Sequence, residues 1–149
     1  KSTAFVEARR VLRAGGVFIF NVWDQIAENE FADTVTTALA AVFPEDPPRF
    51  LARTPHGYYE QQIIERDLAR AGFDHPTRFE TVVARSSATS FRSPAIAYCQ
   101  GTPLRNEIES RDVSRLDEAT EVAAAAIAKR FGTGAVDGKI QAHIVIAMK

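Results

Sequence analysis

Apolar positions along the chain change their period several times, and each change predicts an element. Ala4, Phe5, Ala8, Val11 and Leu12 fall on one helical face while Arg9, Arg10 and Arg13 fall elsewhere, so the chain opens on a helix packed on one side. Gly15 and Gly16 end it. The run VFIFNVW that follows shows no period-two alternation and is β-branched and aromatic, which predicts a strand covered on both faces, as in a parallel sheet. Phe31, Val35, Ala38, Leu39, Val42 and Phe43 mark a second helix, and Pro47 and Pro48 prevent its continuation. A connecting loop follows. From about Tyr59 to Ala71 a third helix turns Ile63, Ile64 and Leu68 inward, with Gly72 as its left-handed cap residue and Phe73 as the apolar partner of that cap.

A strand near Phe79 to Arg85 is the next element. Ser93-Pro94 and Thr102-Pro103 each set a capping hydroxyl before a proline suited to a first helical position, predicting two short helices between Pro94 and Ile108. Val113 to Phe131 forms a longer helix closed by Gly132. The closing GKIQAHIVIAMK carries apolar residues on both faces and reads as an interior strand. The string GTGAVDG, Gly132 to Gly138, follows a helix and precedes a strand. That is the reverse of the strand-turn-helix order that aims backbone N–H groups at a ligand, so it reads as a helix cap and turn.

Composition adds exclusions. The chain has 149 residues, 46% apolar and 25% charged, with a formal net charge of -1, which argues against disordered and fibrous classes. No lysine and arginine block points to nucleic acid or an anionic membrane. The single cysteine, Cys99, excludes an internal disulfide framework and a cysteine zinc cluster and fits a reducing compartment, with the cytoplasm as default. The longest apolar run, Val17 to Phe20, is too short to span a bilayer, and Ala119 to Ala128 is interrupted by Glu121, so a soluble chain is expected. Three strands are too few for five or six helices, and the first strand would leave an open edge. Further structure upstream of Lys1 is therefore expected.

The segment EARRVLRAGGVFIFNVWD, with its arginine-valine-leucine-basic-x-glycine-glycine signature, resembles the helix, glycine turn and fifth strand of class I S-adenosylmethionine-dependent methyltransferases, in particular the subgroup of ubiquinone and menaquinone biosynthesis enzymes. IIERDLARAGF resembles the family's next helix and its turn into strand six, and IQAHIVIAMK resembles strand seven. The resemblance implies an α/β fold: the C-terminal part of a Rossmann-like seven-stranded sheet, strands five, six and seven, with the last antiparallel and inserted between the other two. Residues 86–137 would form a helical insertion or lid. The implied cofactor is S-adenosyl-L-methionine, its glycine-rich loop and acidic residue lying upstream of Lys1, so no cofactor-binding residue is assigned in this chain. The implied partner is a small-molecule methyl acceptor. An exposed sheet edge or apolar face also makes a homo-oligomer an expectation, and a non-catalytic binding or assembly module that keeps the back half of the fold is the alternative.

Ligands of open α/β folds bind beyond the carboxyl ends of the parallel strands, which directs attention to Asn21, Val22, Trp23 and Asp24. Trp23 walls an acceptor that Asn21 orients, or Trp23 is core and Asn21 bonds a loop backbone. Asp24 reads as a helix or turn cap before it reads as a catalytic acid. His56, Tyr58 and Tyr59 cluster in TPHGYYE, where His56 is a candidate base; otherwise the tyrosines roof the core and the histidine is solvated. Tyr98, Gln100, Thr102 and Arg105 are candidate acceptor contacts in the insertion, and Arg105 either clamps an anionic group or pairs with Glu109 one turn away. His75 and His143 are spaced for no metal site and read as structural, and Cys99 reads as a small buried side chain.

Overall fold

A computed structural model describes residues 1–149. In chain order the elements are α1 (Ser2–Val11), β1 (Val17–Trp23), α2 (Glu30–Val42), α3 (Phe50–Arg53), α4 (Gln61–Arg70) and β2 (Arg78–Ala88). Then come α5 (Arg92–Gly101), α6 (Leu104–Arg111), α7 (Leu116–Phe131) and β3 (Val136–Met148), with short 3-10 turns at Ile26–Glu28 and Val113–Arg115. The three strands form one sheet in the order β1-β3-β2, so the last strand in sequence is the middle strand in space, antiparallel to its neighbours. Its pairing with β1 runs without a bulge from Val17 opposite Met148 to Trp23 opposite Ala142.

The chain divides into two compact units. The first comprises Lys1–Asp24, Tyr58–Val82 and Gln141–Lys149; the second comprises Gln25–Gly57 and Val83–Ile140. In the first unit, Phe5 of α1 and Ile64 and Leu68 of α4 are buried with Phe73, Val145 and Ala147, and Phe18, Phe20 and Val22 of β1 pack against them. Ring centroids of Phe18 lie 4.9 Å from Phe20 and 5.9 Å from Phe73, and Phe5 meets Phe18 edge-on at 6.0 Å, spacings at which aromatic pairs attract beyond their area burial. The turn after α4 is the one expected: Gly72 has φ +90°, its N–H donates to Ala69 O at 2.9 Å, and Phe73 N–H donates to Leu68 O at 3.1 Å. These two bonds satisfy carbonyls that the helix end leaves over. At the end of α1, Lys149 Nζ donates to Leu12 O at 2.6 Å, and Gly15, at φ +72°, donates to Lys149 O at 2.9 Å.

Three local expectations are corrected. VFIFNVW is not covered on both faces: its burial alternates, with Phe18, Phe20 and Val22 on the core and Val17, Ile19, Asn21 and Trp23 exposed. The reason is that α1 and α4 supply their apolar residues to the same face. Val11 likewise points to solvent. In the second unit, α5 begins at Arg92 rather than Pro94, and Ser90 Oγ, not Ser93, accepts the Arg92 N–H at 3.2 Å. Thr102 does cap the following helix, accepting Leu104 N–H at 3.2 Å while donating to Tyr98 O at 2.7 Å.

The second unit is helical and has its own core. Phe31, Val35 and Leu39 of α2 meet Ala95 and Cys99 of α5, Leu104 and Ile108 of α6, and Ala119, Ala123, Ala124 and Ile127 of α7. The alanines of α7 let its neighbours approach closely, and α5 to α7 share this core with α2. The region read as a loop holds the short helix α3. Its first N–H groups, Arg49 and Phe50, both donate to Glu107 Oε2 of α6, at 2.9 and 3.0 Å, and Arg53 pairs with the same carboxylate. A four-residue helix is marginal alone, so a side chain distant in sequence acts as its N-terminal cap. Glu107→Ala is expected to cost about 1–2 kcal/mol of stability in urea denaturation, with Glu107→Gln, which keeps an acceptor oxygen, costing less. Equal losses for the two substitutions would contradict the capping role.

Candidate functional site

β1 delivers Asn21 and Trp23 to its carboxyl end on the exposed face of the strand, Trp23 being 39% exposed. Trp23 is therefore no core residue. The next residue turns inward. Asp24 is only 8% exposed, its N–H donates to Gln141 O at 3.0 Å, and its Oδ2 accepts from Gln141 Nε2 at 2.6 Å. The same oxygen lies 3.3 Å from Nε2 of His143, which is 6% exposed, and Nδ1 of that ring is 3.0 Å from Oγ1 of Thr81, an exposed residue of β2. The carboxyl end of β1 is thus tied to β3 through a buried carboxylate and imidazole, and β3 to β2 through a hydroxyl. Sequence reasoning separated these residues, taking Asp24 for a cap and His143 for an isolated structural histidine. The signal that joins them is strand register: setting the last strand antiparallel to β1 puts His143 opposite Val22, two residues before Asp24.

The other candidates are distributed differently. His56 is buried rather than solvated, its N–H donating to Leu51 O at 3.1 Å, and it belongs to the second unit, whereas Tyr58 and Tyr59 belong to the first. Tyr58 is half-buried against the first core, donates from its hydroxyl to Asp67 Oδ2 at 3.0 Å, and carries Lys1 Nζ 3.5 Å above its ring. Burial first, and the Asp67 carboxylate second, push its phenol well above the ordinary range. Tyr58 is a residue of the fold, and Tyr59 beside it is half-buried.

Tyr98 packs against the core of the second unit, where burial raises its phenol. Gln100 Nε2 donates to Thr120 Oγ1 at 3.1 Å, bracing α5 on α7. Arg105 pairs with Glu109 at 2.8 Å across one turn, a surface contact worth about 0.3–0.5 kcal/mol. Cys99 is fully buried, and loss of solvation pushes its thiol up to about 11. His75 is exposed. Gly132, at φ +102°, closes α7 by donating to Ala128 O at 2.9 Å, and β3 starts at Val136, so the glycine-rich string is a helix end and connection. No group of three or more His, Cys, Asp or Glu side chains is placed to hold a metal ion, and no helix is long and apolar enough to cross a membrane.

No family model matches the chain, and no curated protein matches it.

Proposed function

We propose that these residues form the acceptor side of a class I S-adenosylmethionine-dependent methyltransferase domain that acts on a small molecule. The observation that best supports this reading is the strand order β1-β3-β2, with the last strand antiparallel in the middle, the arrangement implied by the resemblance of β1, β2 and β3 to strands five, six and seven. The glycine turn after α1 and the Ala71-Gly72-Phe73 turn after α4 fit the same scheme. The one glycine-rich string closes α7, and the reading assigns no residue of this chain to the cofactor's amino acid and ribose. The reading accordingly gives this chain only acceptor-side work: Trp23 as an apolar wall and Asn21 as an orienting amide, both on the exposed face at the carboxyl end of β1. Methyl transfer from a sulfonium asks mainly for alignment and exclusion of water, for which a wall and a hydrogen-bonding amide suffice.

The test is Trp23→Ala in the protein that carries these residues. It is expected to lower kcat/KM for the acceptor by about tenfold or more while cofactor affinity changes by less than about twofold. Equal losses of cofactor affinity and stability would remove Trp23 from the acceptor side. Micromolar binding of S-adenosylmethionine by residues 1–149 alone, read by calorimetry, would contradict the division of labour.

A second reading, a non-catalytic interaction module, is favoured by one observation. Val17, Ile19, Trp23 and Met148 leave an apolar sheet face open, with Ile19 62% exposed, and such faces mark interaction sites.

A further inference from the structure

We propose that Thr81, His143 and Asp24 form a hydroxyl–imidazole–carboxylate relay that lets Thr81 accept an acyl group from an activated ester. This activity is separate from methyl transfer and does not depend on it.

The relay rests on two contacts that join one exposed residue to two buried ones. Thr81 is exposed on the outer strand β2, its Oγ1 is 3.0 Å from His143 Nδ1, and the imidazole and the Asp24 carboxylate behind it are 6% and 8% exposed. His143 Nε2 is 3.3 Å from Asp24 Oδ2, and Gln141 Nε2 holds the same oxygen at 2.6 Å, limiting its freedom to turn away. An ionised carboxylate only accepts hydrogen bonds, so it favours the tautomer with the proton on Nε2. That leaves the Nδ1 lone pair facing the Thr81 hydroxyl, the arrangement of a base poised on a nucleophile and oriented by a third group. A purely structural histidine is equally satisfied by partners sealed from solvent. Here the hydroxyl end of the chain of contacts is the exposed end, where a substrate has access.

Acylation balances with these groups alone. Thr81 Oγ1 attacks the ester carbonyl carbon, its proton passes to His143 Nδ1, and the imidazolium so formed lies beside the Asp24 carboxylate, which stabilises it. The Oγ1–acyl bond forms, the bond from the acyl carbon to the leaving oxygen breaks, and the leaving group, an aryloxide where the ester is an aryl ester, departs with the electron pair. The imidazolium then returns its proton to solvent. The substrate class is small activated esters, since only a good leaving group suits a threonine with one hydrogen-bonded base.

The experiment uses residues 1–149 with p-nitrophenyl acetate near pH 8, following nitrophenolate release and locating the acetyl group by peptide mass mapping. One acetyl group on Thr81 is expected, lost in Thr81→Val and kept in Thr81→Ser. His143→Gln is expected to slow acetylation of Thr81 by about a hundredfold. Release from Thr81→Val as fast as from the parent would overturn the proposal. So would an acetyl group found only on lysines or on His143, or an undiminished Thr81 rate in His143→Gln. Thr81 is exposed, so its two variants decide the matter even where His143→Gln does not fold, and thermal melts of both identify a folding effect.

Discussion

Gly57→Ala is expected to destabilise the second unit by about 3 kcal/mol or more, as an atom forced against rigid backbone does, and to lower the melting temperature by about 10 °C. Gly57 lies in the turn that follows α3, against the backbone of that helix. A Cβ there would sit 2.1 Å from the Arg53 carbonyl oxygen and 2.7 Å from its carbon. Neither atom can swing aside as a side chain does, so relief requires α3 or the turn to shift. The shift would disturb buried Leu51, the His56 N–H bond to Leu51 O, and the N–H groups that α3 presents to Glu107. Gly101→Ala is the control. Nothing lies within 4 Å of its Cβ, and alanine restricts the unfolded chain more than glycine does, so its effect should be within about 0.5 kcal/mol or slightly stabilising. Calorimetry on the two variants reads the difference. A Gly57→Ala melt within about 2 °C of the parent would show that the turn does not press on the Arg53 carbonyl.

Residues 1–149 are expected to self-associate in a concentration-dependent way through β1. The strand is an outer strand of seven residues, without a charge, a proline or a bulge, and these are the devices that ordinarily keep an edge from pairing with another chain. A second copy of the same uncharged edge meets it without like-charge repulsion, and a two-fold axis makes the contact self-complementary. Val17 and Ile19 on the open face then continue across the junction as one apolar surface. Light scattering over a range of concentrations tests the expectation. Ile19→Lys puts one charge from each copy into the contact and should weaken it about tenfold or more, with little change in melting temperature at low concentration because Ile19 is exposed. A monodisperse monomer at every concentration, for parent and variant alike, would show that the edge is not used.

Elements whose signals lie within a few residues were legible without any tertiary information. The helix at Phe31 to Phe43 was readable from its apolar spacing, and the end of α4 from Gly72 and Phe73, because the bonds that form these features span four or five positions. The Thr102 cap and the Gly132 stop were legible for the same reason. The resemblance of three segments also implies a last strand lying between the other two, which is the observed strand order. Tertiary structure alone decided the rest. The helix at Phe50 to Arg53 depends on Glu107, and the carboxyl end of β1 on contacts from Asp24 to Gln141 and from Thr81 to His143, pairs separated by 57, 117 and 62 residues. Whether Ile19 is buried was equally undecidable from VFIFNVW, since an apolar run states that both faces can be covered and not that two layers of helix are there to cover them. Local periodicity reports what a segment's own backbone prefers. Which distant side chain satisfies a polar group depends on strand register and helix docking, and one residue of slip in β3 would carry His143 to the other face of the sheet.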